Sequence, residues 1–161
     1  QLKFINKYSI FFFMMIVVSL FFINNNNQAE PITLNSSKFE SMIPKTKGED
    51  LVGYKIQVSI ENGCGKSGIA KLYTNFLRKN GYDIIDFKNS DNFDYKNTQL
   101  IFHKRDYSVY ANEIIDLLKI KPEFVNYNYN ESNYYQITLI LGEDYNKIDS
   151  YKLVSMFYEP F

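Results

Sequence analysis

The densest cluster of residues that could do chemistry is the segment 61–70, Glu-Asn-Gly-Cys-Gly-Lys-Ser-Gly-Ile-Ala, between a predicted strand and a predicted helix. Its glycines Gly63, Gly65 and Gly68 match the G-x-G-x-x-G spacing of dinucleotide-binding loops. The spacing excludes a phosphate-binding P-loop, because the first glycine of that motif would fall on Ile60.

Three interpretations of this glycine loop, residues 62–68, stay open. The glycines can simply allow a tight turn with positive φ and a close approach of helix to sheet. The amides at the start of the helix can instead bind an anion such as a phosphate, a carboxylate or a sugar acid. A dinucleotide site is disfavoured, because the connection after Asp86 is too short for a crossover helix. The binding interpretation, which involves no cofactor, assigns ligand contacts to Asn62, Gly63, Gly65, Lys66, Ser67 and Gly68.

The other reactive residues are few, since the chain has one Cys, Cys64, and one His, His103. This scarcity excludes an intramolecular disulfide framework and a zinc finger. We interpret His103 as a surface or strand-end histidine and Cys64 as a small turn residue. No acid and base pair accompanies Asp144, so the sequence predicts neither a catalytic residue nor a metal ligand.

A second candidate surface lies in residues 125–135, which are rich in aromatic and amide side chains. Tyr127 and Tyr129 on an exposed strand face could stack on sugar rings. Cross-strand packing of half-buried tyrosines explains the same pattern.

Composition narrows the class of protein. The chain has 161 residues, with 18 Lys and Arg against 18 Asp and Glu. This balance argues against a nucleic-acid partner, which selects a basic excess. A hydrophobic content of 45% can support a core and argues against global disorder.

The N-terminal part of the sequence predicts a membrane anchor. Residues 8–23 contain no charged residue, and as a helix they span about 24 Å, close to the ~30 Å of a bilayer core. Lys3 and Lys7 precede this run, so we expect the N terminus inside and the rest of the chain outside. A cleaved signal peptide ending after Ala29 is the alternative.

The elements that position the glycine loop follow from periodicity. Apolar stripes indicate helices over 67–80 and from an N-cap at Ser108 to about Ile120. Alternating patterns predict strands over 54–61, 82–87, 98–103, 124–129 and 134–141. The order β-α-β-β-α-β-β predicts an α+β sandwich with two helices on one face of a mixed sheet. We expect the second and third strands to be antiparallel, and residues 130–133 to form a hairpin between the last two.

The chain is therefore predicted to have five parts. They are a cytoplasmic end (1–7), a transmembrane signal anchor (8–23), a flexible linker (24–51), the α+β domain (52–146) and an apolar tail (147–161). The tail carries Leu153, Val154 and Met156 past the domain, so we expect it to pack back or to bind a partner.

Several motif residues resemble the C-terminal domain of LytR/CpsA/Psr proteins. The first block ends a strand with Asn-Gly, continues as x-Gly-x-x-Gly-Ile-Ala and ends its helix with Gly-Tyr; its residues are Asn62, Gly63, Gly65, Gly68, Ile69, Ala70, Gly81 and Tyr82. The second comprises Thr98 before the third strand, Ala111 in the second helix, and Gly142, Asp144 and Tyr145 after the last strand. The resemblance covers about residues 54–145.

This resemblance implies a stand-alone accessory domain that is tethered to a bacterial cytoplasmic membrane and faces the cell envelope. It implies no catalytic residue, and structural roles for Ala70, Gly81, Tyr82, Thr98, Gly142, Asp144 and Tyr145. The expected partners are the membrane, peptidoglycan or another cell-wall polymer, and a membrane-associated wall-assembly protein. Two alternatives are a peptidoglycan-binding SPOR-type domain, which lacks the Asn-Gly turn, and an enzyme acting on envelope glycans through the glycine loop and Asp144.

Overall fold

The computed structural model describes residues 7–26 and 42–157, which fall into two separate compact units. In the first, α1 (Lys7–Asn26) is a 20-residue helix, so residues 8–23 are helical as their sequence predicts. Its side chains are described for residues 11–20, where the large apolar groups are at least 42% exposed. Among the described residues, we find no helix with the length and apolarity needed to span a bilayer.

The second unit is a mixed α+β domain around a five-stranded sheet. Its strands are β1 (Gln57–Asn62), β2 (Asp83–Asn89), β3 (Gln99–Phe102), β4 (Val125–Tyr127) and β5 (Ile137–Leu141). Its helices are α2 (Lys47–Val52), α3 (Ile69–Lys79), α4 (Ala111–Leu118) and α5 (Tyr151–Val154), with 3-10 turns at Tyr107–Val109, Pro122–Phe124 and Ser155–Phe157. From β1 to β5 the elements follow the predicted order.

The sheet has the strand order β2-β1-β5-β3-β4. β1 pairs in parallel with β2 and β5, and β3 pairs antiparallel with β5 and parallel with β4. β2 and β3 therefore run in opposite directions, as the sequence predicts, although they are not neighbours in the sheet. The predicted hairpin at residues 130–133 is wrong, because β3 lies between β4 and β5. All of β5 is buried, so it occupies the middle of the sheet, whereas the more exposed β2 and β4 form the edges.

Both sheet halves are crossovers in which a helix joins two parallel neighbours, β1-α3-β2 and β3-α4-β4. The cross-strand register places Val58, Phe102 and Ile137 on one face of the sheet. The buried residues Leu77 of α3 and Ile114 of α4 belong to the same hydrophobic core. The two helices therefore cover one face, as the sequence predicts.

The start of α4 differs from the prediction of a Ser108 N-cap. The N-cap is Tyr110, which follows a 3-10 turn and has no side-chain capping bond. Tyr110 is fully buried, its ring 6.1 Å from that of Phe102, and its hydroxyl donates to Asp106 Oδ1 at 3.3 Å. Burial of this ring, rather than a serine cap, sets where the helix begins.

The folded unit extends into the predicted linker 24–51. Thr46 caps α2, its Oγ1 accepting from the Glu49 amide at 2.9 Å. The Glu113 carboxylate of α4 accepts hydrogen bonds from the amides of Lys47 and Gly48, at 3.0 and 3.2 Å. Residues 42–51 thus pack on the domain, and residues 27–41 lie outside the described chain.

The described part of the tail, residues 147–157, packs back on the domain. Val154 is fully buried, and the Phe157 ring lies edge-on to Phe76 of α3 at 5.6 Å. Ser150 Oγ donates to the Leu118 carbonyl at 2.7 Å. Val154 and Phe157 therefore extend the core, whereas Leu153 and Met156 of the tail are 52% and 70% exposed.

Candidate functional site

The glycine loop begins where β1 ends, at the nearly buried Asn62. Its Nδ2 donates to the Lys66 carbonyl at 3.1 Å and to Asn89 Oδ1 at 3.2 Å, and its Oδ1 lies 3.5 Å from the Cys64 thiol. A short amide side chain that bonds local backbone is typical of such turns. Asn62 therefore holds the loop closed and joins it to the end of β2.

The loop glycines are required for different reasons. Gly63 donates to the Leu141 carbonyl at 2.9 Å, and a Cβ there would lie 2.7 Å from the Tyr95 ring and 2.9 Å from Ile140. Gly65 and Gly68 have φ of +70° and +78°, the left-handed region that glycine adopts at little cost. The loop shape thus depends on all three glycines, as the turn interpretation expects.

A crevice of about 420 Å³ opens beside the glycine loop, at the carboxyl ends of the parallel strands β1 and β2. Gly65, Ser67 and Gly68 form part of its wall. Ligands of open sheets commonly bind outside the carboxyl ends of parallel strands. The structure therefore brings four of the predicted ligand-binding residues, Asn62 among them, to one concave surface, whereas Gly63 and Lys66 do not line it.

Two phenylalanines on this crevice were not identified from the sequence. Phe87 of β2 is 48% exposed and Phe93 is 47% exposed, and a Cβ on Gly65 would be 3.2 Å from Phe93 Cγ. Phe93 stands in the polar turn 89–97, where an isolated large apolar residue was the available signal. Phe87 was assigned only to a strand, and the register irregularity between Val58 and Ser59 that shifts its pairing is not visible in the sequence.

Charge at the crevice is largely paired. Lys88 lies 3.7 Å from Glu61, and Ser90 Oγ donates to the second Glu61 carboxylate oxygen at 3.2 Å. Lys66 and Ser67 are exposed on the loop. The crevice thus offers a polar backbone and two aromatic surfaces rather than a concentrated charge.

The motif residues after β5 form a clamp at the start of β3. Asp144 Oδ1 accepts from the Thr98 amide at 2.6 Å and from Thr98 Oγ1 at 2.9 Å. Thr98 Oγ1 in turn accepts from the Gly142 amide at 3.1 Å. A Cβ on Gly142 would collide with the backbone of Asn97, so these motif residues act as a structural joint.

The remaining motif residues also lie in structural positions. Tyr73 donates its hydroxyl to the Tyr145 carbonyl at 2.7 Å, and burial raises the pKa of Tyr73 above its ordinary range. Ala70 is buried on α3, and Gly81 ends that helix with φ of +92°. Tyr82 is buried, and burial likewise raises its pKa.

The surface interpretation of His103 is wrong, although the residue does follow directly on β3. Its side chain is only 6% exposed, with Nδ1 3.0 Å from the Asn128 carbonyl and Nε2 2.8 Å from Thr138 Oγ1. Since a carbonyl only accepts, Nδ1 carries the proton and Thr138 donates to Nε2. Burial is the largest cause that lowers the pKa of His103, so the ring is a neutral structural group.

The tyrosines of the second candidate surface lie at the opposite edge of the sheet from β2. Tyr127 and Tyr129 are 48% and 49% exposed, and the Tyr127 ring packs 4.5 Å from that of Tyr107. Arg105 lies 5.7 Å from the centre of the Tyr129 ring. One side of these rings packs within an aromatic cluster, and their role in glycan stacking stays a prediction.

Cys64 is partly buried and packs against the core, as a small turn residue would. Across residues 42–157 and the described helix α1, no group of three or more His, Cys, Asp or Glu residues is arranged to hold a metal ion.

The loop, the crevice and the clamp all belong to one small α+β domain, which is built on two crossovers. Residues 55–145, more than half of the chain, match the family model described as LytR cell envelope-related transcriptional attenuator. The chain belongs to this LytR C-terminal family, which confirms the resemblance carried by the Asn-Gly-x-Gly-x-x-Gly loop. No curated protein and no solved structure gives a significant match. The protein is therefore cell envelope-related.

Proposed function

We propose that this protein is a non-catalytic envelope domain that binds a cell-wall glycan at the glycine-loop crevice. The observation that carries the proposal is the pairing of two half-exposed phenylalanines, Phe87 and Phe93, with the polar backbone of residues 62–68. Sugars present apolar C–H faces and hydroxyl edges. An aromatic wall beside backbone amides and carbonyls suits both kinds of surface.

The size of the crevice supports a glycan segment as the occupant. Its volume of about 420 Å³ falls within the roughly 300–1,000 Å³ of small-molecule sites. Lys71 and Lys88 line the crevice, and Lys88 is paired with Glu61, so we expect a ligand without a strong charge of its own. The polar groups of the loop then fix the orientation of the sugar.

We also propose that residues 8–23 anchor the chain in a bacterial cytoplasmic membrane, with residues 1–7 inside and the domain outside. This proposal rests on the uncharged run in the sequence and on the envelope-related family. Such a tether holds the domain near the wall and near membrane-associated assembly proteins, the second class of partner.

Co-sedimentation with isolated peptidoglycan tests the glycan site. The full-length chain in neutral detergent is expected to sediment with peptidoglycan and to release no soluble product. Phe87→Ala and Phe93→Ala, both at half-exposed positions, should each weaken retention about tenfold, as aromatic contacts at binding sites commonly do.

The matched control is Tyr54→Ala, which removes an aromatic ring that is 47% exposed outside the crevice and should leave retention unchanged. Tyr129→Ala tests the tyrosine surface in the same assay. Retention lost with Tyr129→Ala but kept with the phenylalanine variants contradicts the crevice as the site. Release of wall fragments that stops with Asp144→Ala favours the enzyme alternative.

Protease protection tests the topology. Protease added to intact spheroplasts is expected to digest the domain and to leave only a fragment containing residues 8–23. A domain that becomes accessible only after the membrane is lysed would show that the predicted orientation is wrong.

A further inference from the structure

A second cavity, of about 240 Å³, lies between the end of α4 and the segment that follows β5, and it shares no lining residue with the glycine-loop crevice. We refer to it as the lysine cavity. Three lysines, Lys119, Lys121 and Lys147, line it together with an apolar group formed by Ile120, Phe124 and Ile148.

The charge of the lysine cavity is positive. Within residues 42–157, none of the three lysine ammonium groups has an ion-pair or hydrogen-bond partner. Two carboxylates, Asp144 and Asp149, also line the cavity, but Asp144 already accepts two hydrogen bonds from Thr98. Three cations against two anions leave a net charge of +1 at the lining.

The backbone of Lys119 gives a second, independent indication of function. Lys119 ends α4 with φ of 54° and ψ of 39°, and among the described residues it is the one residue other than glycine with positive φ. Glycine is the usual residue at such a left-handed helix end, because a side chain there costs about 1 kcal/mol. A strained residue that lines a cavity is a recognised mark of a functional site.

The helix dipole does not explain why a lysine stands at this left-handed position. A lysine anywhere in the last turn of α4 interacts favourably with the carbonyl end of the helix, and it needs no left-handed backbone. The left-handed position instead places a lysine among the residues that line the cavity.

We propose that the lysine cavity binds a small phosphate ester, whose phosphate contacts the three ammonium groups and whose carbon part contacts Ile120, Phe124 and Ile148. Lysine binds phosphate as a point charge from several directions. The volume of 240 Å³ is below the roughly 300 Å³ of drug-sized sites, so it suits one esterified unit rather than a chain.

Calorimetric titration of the full-length chain in neutral detergent tests this site, with sn-glycerol 3-phosphate, inorganic phosphate and glycerol as probes. We expect saturable binding of sn-glycerol 3-phosphate, weaker binding of inorganic phosphate because it has no carbon part to contact the lining, and no binding of glycerol. Each of Lys119→Gly, Lys121→Gln and Lys147→Gln should weaken binding about three- to tenfold.

The control Lys55→Gln removes an exposed lysine outside the cavity and should leave the affinity unchanged. Equal binding of sn-glycerol 3-phosphate and inorganic phosphate, or an effect of Lys55→Gln as large as that of Lys147→Gln, would overturn the proposal as generic charge binding. Absence of saturable binding would overturn it outright.

The proposals for the crevice and for the lysine cavity can be contradicted independently of each other. Phe87→Ala and Phe93→Ala should not change the affinity for sn-glycerol 3-phosphate, because neither residue lines the lysine cavity. Lys147→Gln should likewise leave peptidoglycan sedimentation unchanged.

Discussion

The two crossovers of the sheet end their helices in the same backbone conformation with different residues. α3 ends in the β1-α3-β2 half before Gly81 at φ +92°, and α4 ends in the β3-α4-β4 half at Lys119 with φ +54°. Gly81 adopts this conformation at little cost, whereas Lys119 adopts it against the steric preference of its side chain.

The comparison separates a structural requirement from a functional one. At Gly81 the carbonyl of Pro44 approaches so closely that no side chain fits, so packing alone dictates glycine. At Lys119 a side chain fits and lines a cavity with Lys121 and Lys147. A side chain at Gly81 should therefore lower stability, and a change of Lys119 to glycine should weaken binding while it relieves backbone strain.

The largest effect is expected for Gly81→Ala. The new Cβ would collide with the Pro44 carbonyl as well as require a left-handed alanine, so we expect a loss of about 3 kcal/mol or more in the free energy of unfolding. Urea denaturation followed by circular dichroism measures it.

Gly53→Ala is the matched control for this variant. Gly53 has φ of +81° at the end of α2, and nothing lies within 4 Å of a Cβ built there. Its loss should be only about 1 kcal/mol, the cost of the left-handed backbone alone. Equal losses for the two variants would show that the approach of Pro44 does not matter.

The next largest effect concerns the joint between the two halves. Asp144→Ala removes both hydrogen bonds to Thr98 at the start of β3 and should lower the free energy of unfolding by about 2 kcal/mol. Asp144→Asn keeps an acceptor oxygen and should lose less than half as much. Thermal unfolding of both variants measures the difference, and equal losses would contradict the clamp.

Lys119→Gly should have the opposite sign. Removal of the strained side chain should raise the free energy of unfolding by about 1 kcal/mol, while the affinity for sn-glycerol 3-phosphate falls. The control Lys119→Ala keeps the strain and loses the ammonium group, so it should lose affinity without the gain in stability. A loss of stability in Lys119→Gly would contradict the strain argument.

The sequence predicts local elements well, because local periodicity determines them. Ile56, Val58 and Ile60 alternate in the sequence, and all three are fully buried. The pairing of the last two strands was mispredicted, because pairing depends on which strand is apolar on both faces. That strand is β5, which takes the middle of the sheet and pairs with β1 and β3, so β3 separates it from β4 and no hairpin forms.

The part of the candidate site that is local in sequence could be predicted, and the part that depends on tertiary structure could not. The glycine loop is contiguous in sequence, so its spacing was visible. Phe87 and Phe93 reach the crevice only through the register of β2 and the fold of the turn after it. Lys119 and Lys147 come from opposite sides of β5 in the chain, and no local pattern connects them.

The smallest expected effect is a pH dependence of the free energy of unfolding that arises from His103, the residue after β3. Burial and the charge of Lys104 lower the pKa of His103, while the hydrogen bond to Asn128 and the charge of Glu61 oppose them. The folded state therefore disfavours the protonated ring, and the unfolded state, with a pKa of about 6.5, binds the proton first. The contribution of the neutral ring to the free energy of unfolding should be fully present above that pH and should fall as the pH drops below it.

Urea denaturation at pH 7.5, 6.5 and 5.5 measures this slope in the parent chain and in His103→Gln, which cannot titrate. The parent should lose stability toward pH 5.5 and the variant should lose less, because carboxylates with ordinary pKa values titrate mainly below this window. Parallel slopes would show that His103 does not contribute. A steeper parent slope would locate the pH-sensitive contact between β3 and β5, where Thr138 donates to the neutral ring.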